Sequence, residues 1–98
     1  MKKTNKREII KKIEKEKDKI KSKGVKKIGL FGSFVRGKQD KNSDIDFLVT
    51  FDSPDFEKYA ELLILLEKMF KRKIDLVIES NLRKELNYVK KEAKYVRL

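Results

Sequence analysis

Ninety-eight residues, 44% of them charged and 39% apolar, suffice for one domain with a single core, and a 9% aromatic share excludes wholesale disorder. Cysteine and histidine are both absent, which excludes disulfides, thiolate nucleophiles and imidazole acid–base chemistry and leaves carboxylates as the metal ligands. The formal charge of +11 gathers at one end, with 13 Lys/Arg against 4 Asp/Glu in residues 1–27 and 14 against 12 in the rest. That basic stretch reads either as a lysine-rich solvated helix face or as an arm for nucleic acid or an acidic partner. No aromatic residue interrupts it to stack on bases, which favours the solvated face. The longest apolar run, Leu62 to Leu66, falls far short of the roughly 20 residues of a membrane helix. The lysine-rich start leads into no apolar stretch of a secretory signal, so a cytoplasmic protein without a membrane segment is expected.

From Asn5 to Lys23, Ile9, Ile10, Ile13 and Ile20 fall at helical spacing, with Thr4 as the expected N-cap and Gly24 as the stop. Val25 to Phe31 reads as a short strand, bounded by Gly24 and by Gly32-Ser33. Asp44 to Phe51 is a second strand, whose alternation puts Asp44 and Asp46 on one face and Ile45 and Phe47 on the other. Ser53-Pro54-Asp55 supplies an N-cap, a proline at the first helical position and an acid in the first turn. The helix it opens runs to about Phe70 and is apolar on nearly every side, as a central packed helix would be. Lys73 to Ile78 is a third strand. Ser80 or Asn81 then caps a final helix to about Ala93, leaving Tyr95 to Leu98 as a tail.

The expected fold is α/β (α+β): one domain, residues 1–98, with a small mixed sheet of three to four strands flanked by helices. It divides into a basic N-terminal helix (1–23), a sheet core carrying the site (25–78) and a C-terminal helix (81–93). The β-α-β unit makes strands two and three parallel through a right-handed crossover, and the short link before it makes strands one and two antiparallel. Gly32, Asp44 and Lys73 then share one end of the sheet, and Asp75 comes to lie beside Asp44 and Asp46.

The segment Gly32-Ser-Phe-Val-Arg-Gly37-Lys38 matches the phosphate-loop pattern GxxxxGK after a strand. That loop needs Ser or Thr next, followed by a helix. Gln39 stands there instead, with turn-forming Asp40-Lys41-Asn42-Ser43 behind it, so a P-loop is rejected. Used differently, Gly32 and Ser33 bring backbone amides and a hydroxyl close to a phosphate, with Ser33 to Arg36 as a short helix. Arg36 offers a guanidinium to a phosphate or a carboxylate. Asp44 and Asp46 can chelate one hard cation or bridge two, and Asp75 completes the set as ligand, as base, or as both. A lone D-x-D is weak evidence, since an exposed strand start more often explains it. The combination of G-S-x-x-R-G, S-D-I-D and I-D is far more specific.

Gly32 to Gly37 followed by Ser43 to Val49 resembles the nucleotidyltransferase signature of the DNA polymerase β-like superfamily, and within it the minimal nucleotidyltransferases (MNT). The resemblance spans roughly residues 5–95, with only a conservative Phe47 in place of a commoner aliphatic. It implies that Gly32 and Ser33 hold the triphosphate of ATP and that Asp44, Asp46 and Asp75 bind two Mg²⁺ or Mn²⁺ ions. Arg36 is then a phosphate contact or a structural brace. It further implies an antitoxin that transfers AMP to a tyrosine of a HEPN-domain toxin. The acceptor surface would come from a partner or a second copy in a homo- or hetero-oligomer, since no acceptor-holding domain is evident. Two alternatives stand beside this: a binding module that blocks its partner without catalysis, and a transferase acting on nucleic acid or a small molecule.

Overall fold

Three isoleucines decide where the basic N-terminal segment goes. Ile9, Ile13 and Ile20 are each 0% exposed, while the lysines between them face outward. In the computed structural model, which describes residues 4–53, 55–96 and 98, that segment forms two helices, α1 (Lys6–Lys15) and α2 (Lys17–Ser22), divided at Glu16. The expected single helix is thus broken, while Ile20 packs in the same core as the other two. The N-cap is Asn5, whose side chain accepts the Glu8 N–H at 2.9 Å, and not Thr4.

Strand β1 (Val25–Phe31) leads into the four-residue helix α3 (Ser33–Arg36), and β2 (Ile45–Phe51) pairs antiparallel to β1. Helix α4 (Phe56–Phe70) crosses to β3 (Ile74–Ile78), which is parallel to β2 as expected. Asp55 caps α4, accepting the Lys58 N–H at 2.8 Å, two residues beyond the expected cap at Ser53. Pro54, the expected first helical residue, lies outside the described residues. The helix is not buried on all sides. Leu62 and Leu66 face the core, and Ile64 is 52% exposed.

The C-terminal segment departs most from expectation. In place of one helix over 81–93 there are two 3₁₀ turns (Glu79–Asn81 and Lys84–Leu86) and a short helix α5 (Tyr88–Glu92). The expected tail contributes a strand, β4 (Lys94–Val96), antiparallel to β1; Arg97 lies outside the described residues. Sheet order is β3-β2-β1-β4. The chain must therefore travel from one sheet edge to the other between Ile78 and Lys94, tethered at both ends. Glu79 accepts from Thr50 and Tyr95 and pairs with Lys27, and Glu92 binds Gly32 and Arg36. These tethers compete with the single helix expected here.

One face of the sheet carries Ile28, Leu30, Phe47, Val49 and Leu76 into a core with the isoleucines of α1 and α2 and the leucines of α4. The other face presents Asp46, Thr50, Lys27 and Tyr95. Gly29 on that face leaves room for the Tyr95 ring, since a β-carbon there would lie 2.8 Å from Tyr95 Cδ1. Among the described residues no helix is long and apolar enough to cross a membrane.

Candidate active site

Register sets the centre of the site. Asp46 pairs with Phe31 across the β1–β2 ladder and with Asp75 across the β2–β3 ladder. Two carboxylates thus stand side by side on adjacent parallel strands, one of them supplied from beyond the α4 crossover. Burial, then the charge of Asp75, then that of Asp44 push the Asp46 carboxyl from its ordinary 3.8 up to about 6, with Arg36 opposing. A hydrogen bond with Asp75 favours the protonated form as well. Asp44, just before β2, is close enough to be felt but lies outside the ladder.

Gly32 adjoins this pair from the β1 side. Its φ of +78° and ψ of −151° suit a residue without a side chain. A β-carbon there would also stand 2.9 Å from Asp46 Cγ. From Gly32 the chain turns directly into α3, whose Val35 and Arg36 N–H groups bond back to the Gly32 carbonyl at 3.0 and 3.2 Å. The Ser33 and Phe34 amides precede these bonds, at the open end of the turn.

Between Gly37 and Asp44 the chain makes the turn expected from its composition. The Asp40 side chain accepts the Asn42 N–H at 2.8 Å, and Ser43 Oγ accepts the Asp40 N–H at 2.8 Å. Residues 38–44 form no helix directly after Gly37, consistent with the rejection of a P-loop.

Two residues that sequence reasoning passed over hold these parts in place. Arg72, just before β3, donates to the Ser43 carbonyl at 2.8 Å and to those of Lys41 and Asp40 at 3.3 and 3.4 Å. Its guanidinium also lies over the Phe34 ring at 5.4 Å. Glu92 accepts the Gly32 N–H at 2.8 Å and the Arg36 Nη1–H at 2.9 Å. Neither had a local signal, because each is one basic or acidic residue among many and acts across more than 25 positions.

The donor set suits a hard divalent cation: all-oxygen ligands, two carboxylates in register and a third nearby, with mutual repulsion that a cation would relieve. The set is not preassembled, since among the described residues no three acidic side chains are gathered into a ready-made metal cluster. Asp44, Asp46 and Asp75 are the residues that would hold such an ion.

Comparison with known proteins places these features in context. Residues 5–97 match the family described as nucleotidyltransferase domain. MJ1379 of Methanocaldococcus jannaschii, a candidate protein adenylyltransferase, is 45% identical over 84 residues, covering 83% of this chain and 77% of that protein. Protein adenylyltransferase MntA of Thermococcus cleftensis is 44% identical over 61 residues, or 61% of this chain and 62% of that one. Among solved structures, a candidate minimal nucleotidyltransferase superposes with a TM-score of 0.71 at 27% identity, over 87% of this chain and 93% of its own. A toxin–antitoxin crystal structure with AMP-PNP gives a TM-score of 0.67 at 28% identity, over 84% of this chain and 70% of that one.

Proposed function

This chain belongs to the nucleotidyltransferase family, among its minimal members, and on that premise we propose that it moves AMP from ATP onto a tyrosine hydroxyl of a partner toxin of the HEPN type. The observation that carries this reading is the Asp46–Asp75 pair, in register beside the Gly32-Ser33 turn. In the proposed reaction the hydroxyl oxygen bonds to the α-phosphorus of ATP. The bond from that phosphorus to the bridging oxygen breaks, and pyrophosphate leaves. Asp75, on the exposed side of the pair, receives the hydroxyl proton. The Ser33 hydroxyl and the turn amides hold the triphosphate. Mg²⁺ bound by Asp44, Asp46 and Asp75 would neutralise phosphate charge and acidify the hydroxyl. Protein adenylyltransferases among the relatives and the AMP-PNP in a structural neighbour support this choice of donor and acceptor class.

A second reading, blockade of the partner by binding alone, draws on exposed apolar side chains, with Phe56 at 84% and Tyr88 at 57%. One experiment separates the two. The protein is incubated with labelled ATP, Mg²⁺ and the protein encoded beside it, with Asp44→Asn/Asp46→Asn as the control. Label on a partner tyrosine that disappears with the double substitution is expected. Stable complex formation and neutralisation that survive the substitution, without label, would establish the blocker instead.

A further inference from the structure

A fourth acidic residue, apart from the three aspartates, reaches the glycine-serine turn from the segment just before β4. Ile28, Gly29 and Leu30 pair with Val96, Tyr95 and Lys94. Beyond the end of that ladder, Glu92 closes α5 two residues before β4 and its side chain reaches Gly32, one residue past β1. The side chain of Glu92 is only 18% exposed. One of its oxygens accepts both the Gly32 N–H at 2.8 Å and an Arg36 Nη1–H at 2.9 Å, while the other lies 3.1 Å from the same guanidinium nitrogen.

Gly32 is thus gripped from two sides. Its missing β-carbon would point at Asp46, on the β2 side, and its N–H points to Glu92, on the β4 side. The cation-binding carboxylates and the substrate phosphates belong on the Asp46 side, so Glu92 approaches the turn from behind. It is therefore placed as a brace and not as an anion that a phosphate must displace. Arg36, the first residue one would assign to the phosphates, spends Nη1 on this brace.

We infer that Glu92 is a positioning residue, which fixes the phosphate-binding turn by joining the Gly32 amide to the Arg36 guanidinium, and that Arg36 acts through Glu92. This rests on the reading of the Gly32-Ser33 turn as a triphosphate site. A charge-assisted pair attached to a backbone amide holds the start of α3 at a fixed distance from Asp46, and preorganising the turn in this way is worth affinity. Removing either partner should release the same constraint.

The test is a double-mutant cycle on the full chain, read as the dissociation constants of ATP and of AMP with Mg²⁺, alongside thermal melts. Glu92→Ala and Arg36→Ala should each weaken ATP by about 10-fold, and AMP by much less. The double variant should be no worse than either single one. Glu92→Gln, which keeps an acceptor for both donors but loses the charge, should fall between wild type and Glu92→Ala. An Arg36→Ala loss well beyond that of Glu92→Ala, with additive effects, would make Arg36 a direct phosphate ligand and overturn the inference. Equal losses for ATP and AMP, tracking a lowered melting temperature, would reduce Glu92 to a fold-stabilising residue and overturn it too. If ATP binds the Glu92 variants as tightly as wild type, the inference fails while the nucleotide site stands. If wild type itself binds no ATP, the functional reading falls first and the inference with it.

Discussion

The α-carbon of Gly32 lies against the Asp46 carboxylate, so close that an added β-carbon would meet Asp46 Cγ at 2.9 Å and Oδ2 closer still. Gly32→Ala must therefore push Asp46 aside or twist the turn, at a φ that already disfavours any side chain. The expected result is a stability loss of about 1–3 kcal/mol by urea unfolding. Transfer to the partner should fall by about 100-fold, because a shift of even 1 Å at such a site carries that penalty. A Gly32→Ala protein with wild-type transfer would show that the turn can relax without moving Asp46.

Asp46 also makes stability depend on pH. Its carboxyl ordinarily titrates at 3.8 and does so at about 6 in the folded chain, so between those values the folded state holds a proton that the unfolded state has lost. Its contribution is present at low pH and lost as pH rises through that window. Asp46→Asn has no such proton to lose. Relative to that variant, wild type should become less stable by about 1 kcal/mol between pH 4 and pH 7, after allowing for solvent screening. Adding Mg²⁺ at neutral pH should return the loss to wild type and do nothing for the variant. Parallel pH–stability curves for the two proteins would refute the assignment.

On the same face of the sheet, the Tyr95 hydroxyl donates to Glu79 and, with Lys27, holds that carboxyl below its ordinary range against the opposing effect of burial. A depressed acid contributes stability above its unfolded pKa and loses it as pH falls. Tyr95→Phe should cost about 1 kcal/mol at neutral pH. The difference from wild type should shrink in acid, as Glu79 becomes protonated in both proteins. Urea midpoints across the acid range provide the measurement.

Lys71 ends α4 in the left-handed region, at φ 50° and ψ 44°, while its N–H still reaches the Glu67 carbonyl at 2.8 Å. Glycine adopts that conformation without the penalty and keeps the bond. Lys71→Gly is expected to stabilise the protein by about 0.5–1 kcal/mol, provided the side chain contributes nothing else. A melt showing no gain would mean that the lysine stem packs on the helix end.

The central strands were legible because each carries a dense run of β-branched and aromatic residues between turn-formers, and because a helix between two such runs forces them parallel. Those two facts alone bring Asp75 beside Asp46. Strand β4 was hidden by its brevity, since three residues near a chain end carry no periodicity. The false helix over 81–93 was read from a cap at Ser80 or Asn81. It failed because Glu79 and Glu92 are claimed by distant partners, and no window of sequence shows that. Glu92 and Arg72 were invisible for the same reason: each acts on groups far along the chain, Arg72 on backbone carbonyls and Glu92 on the Gly32 N–H and the Arg36 guanidinium.

Arg72 has a consequence for anyone wishing to transplant this chemistry. It holds three carbonyls of the 40–43 loop and covers Phe34, yet it sits only three positions before Asp75. The glycine-serine turn, the loop that leads into β2 and the start of β3 are thus fastened to one guanidinium. A contiguous graft of residues 32–46 into another scaffold would carry the recognisable motif and leave its anchor behind. The smallest portable unit is the whole run from β1 through β3, which is most of the protein.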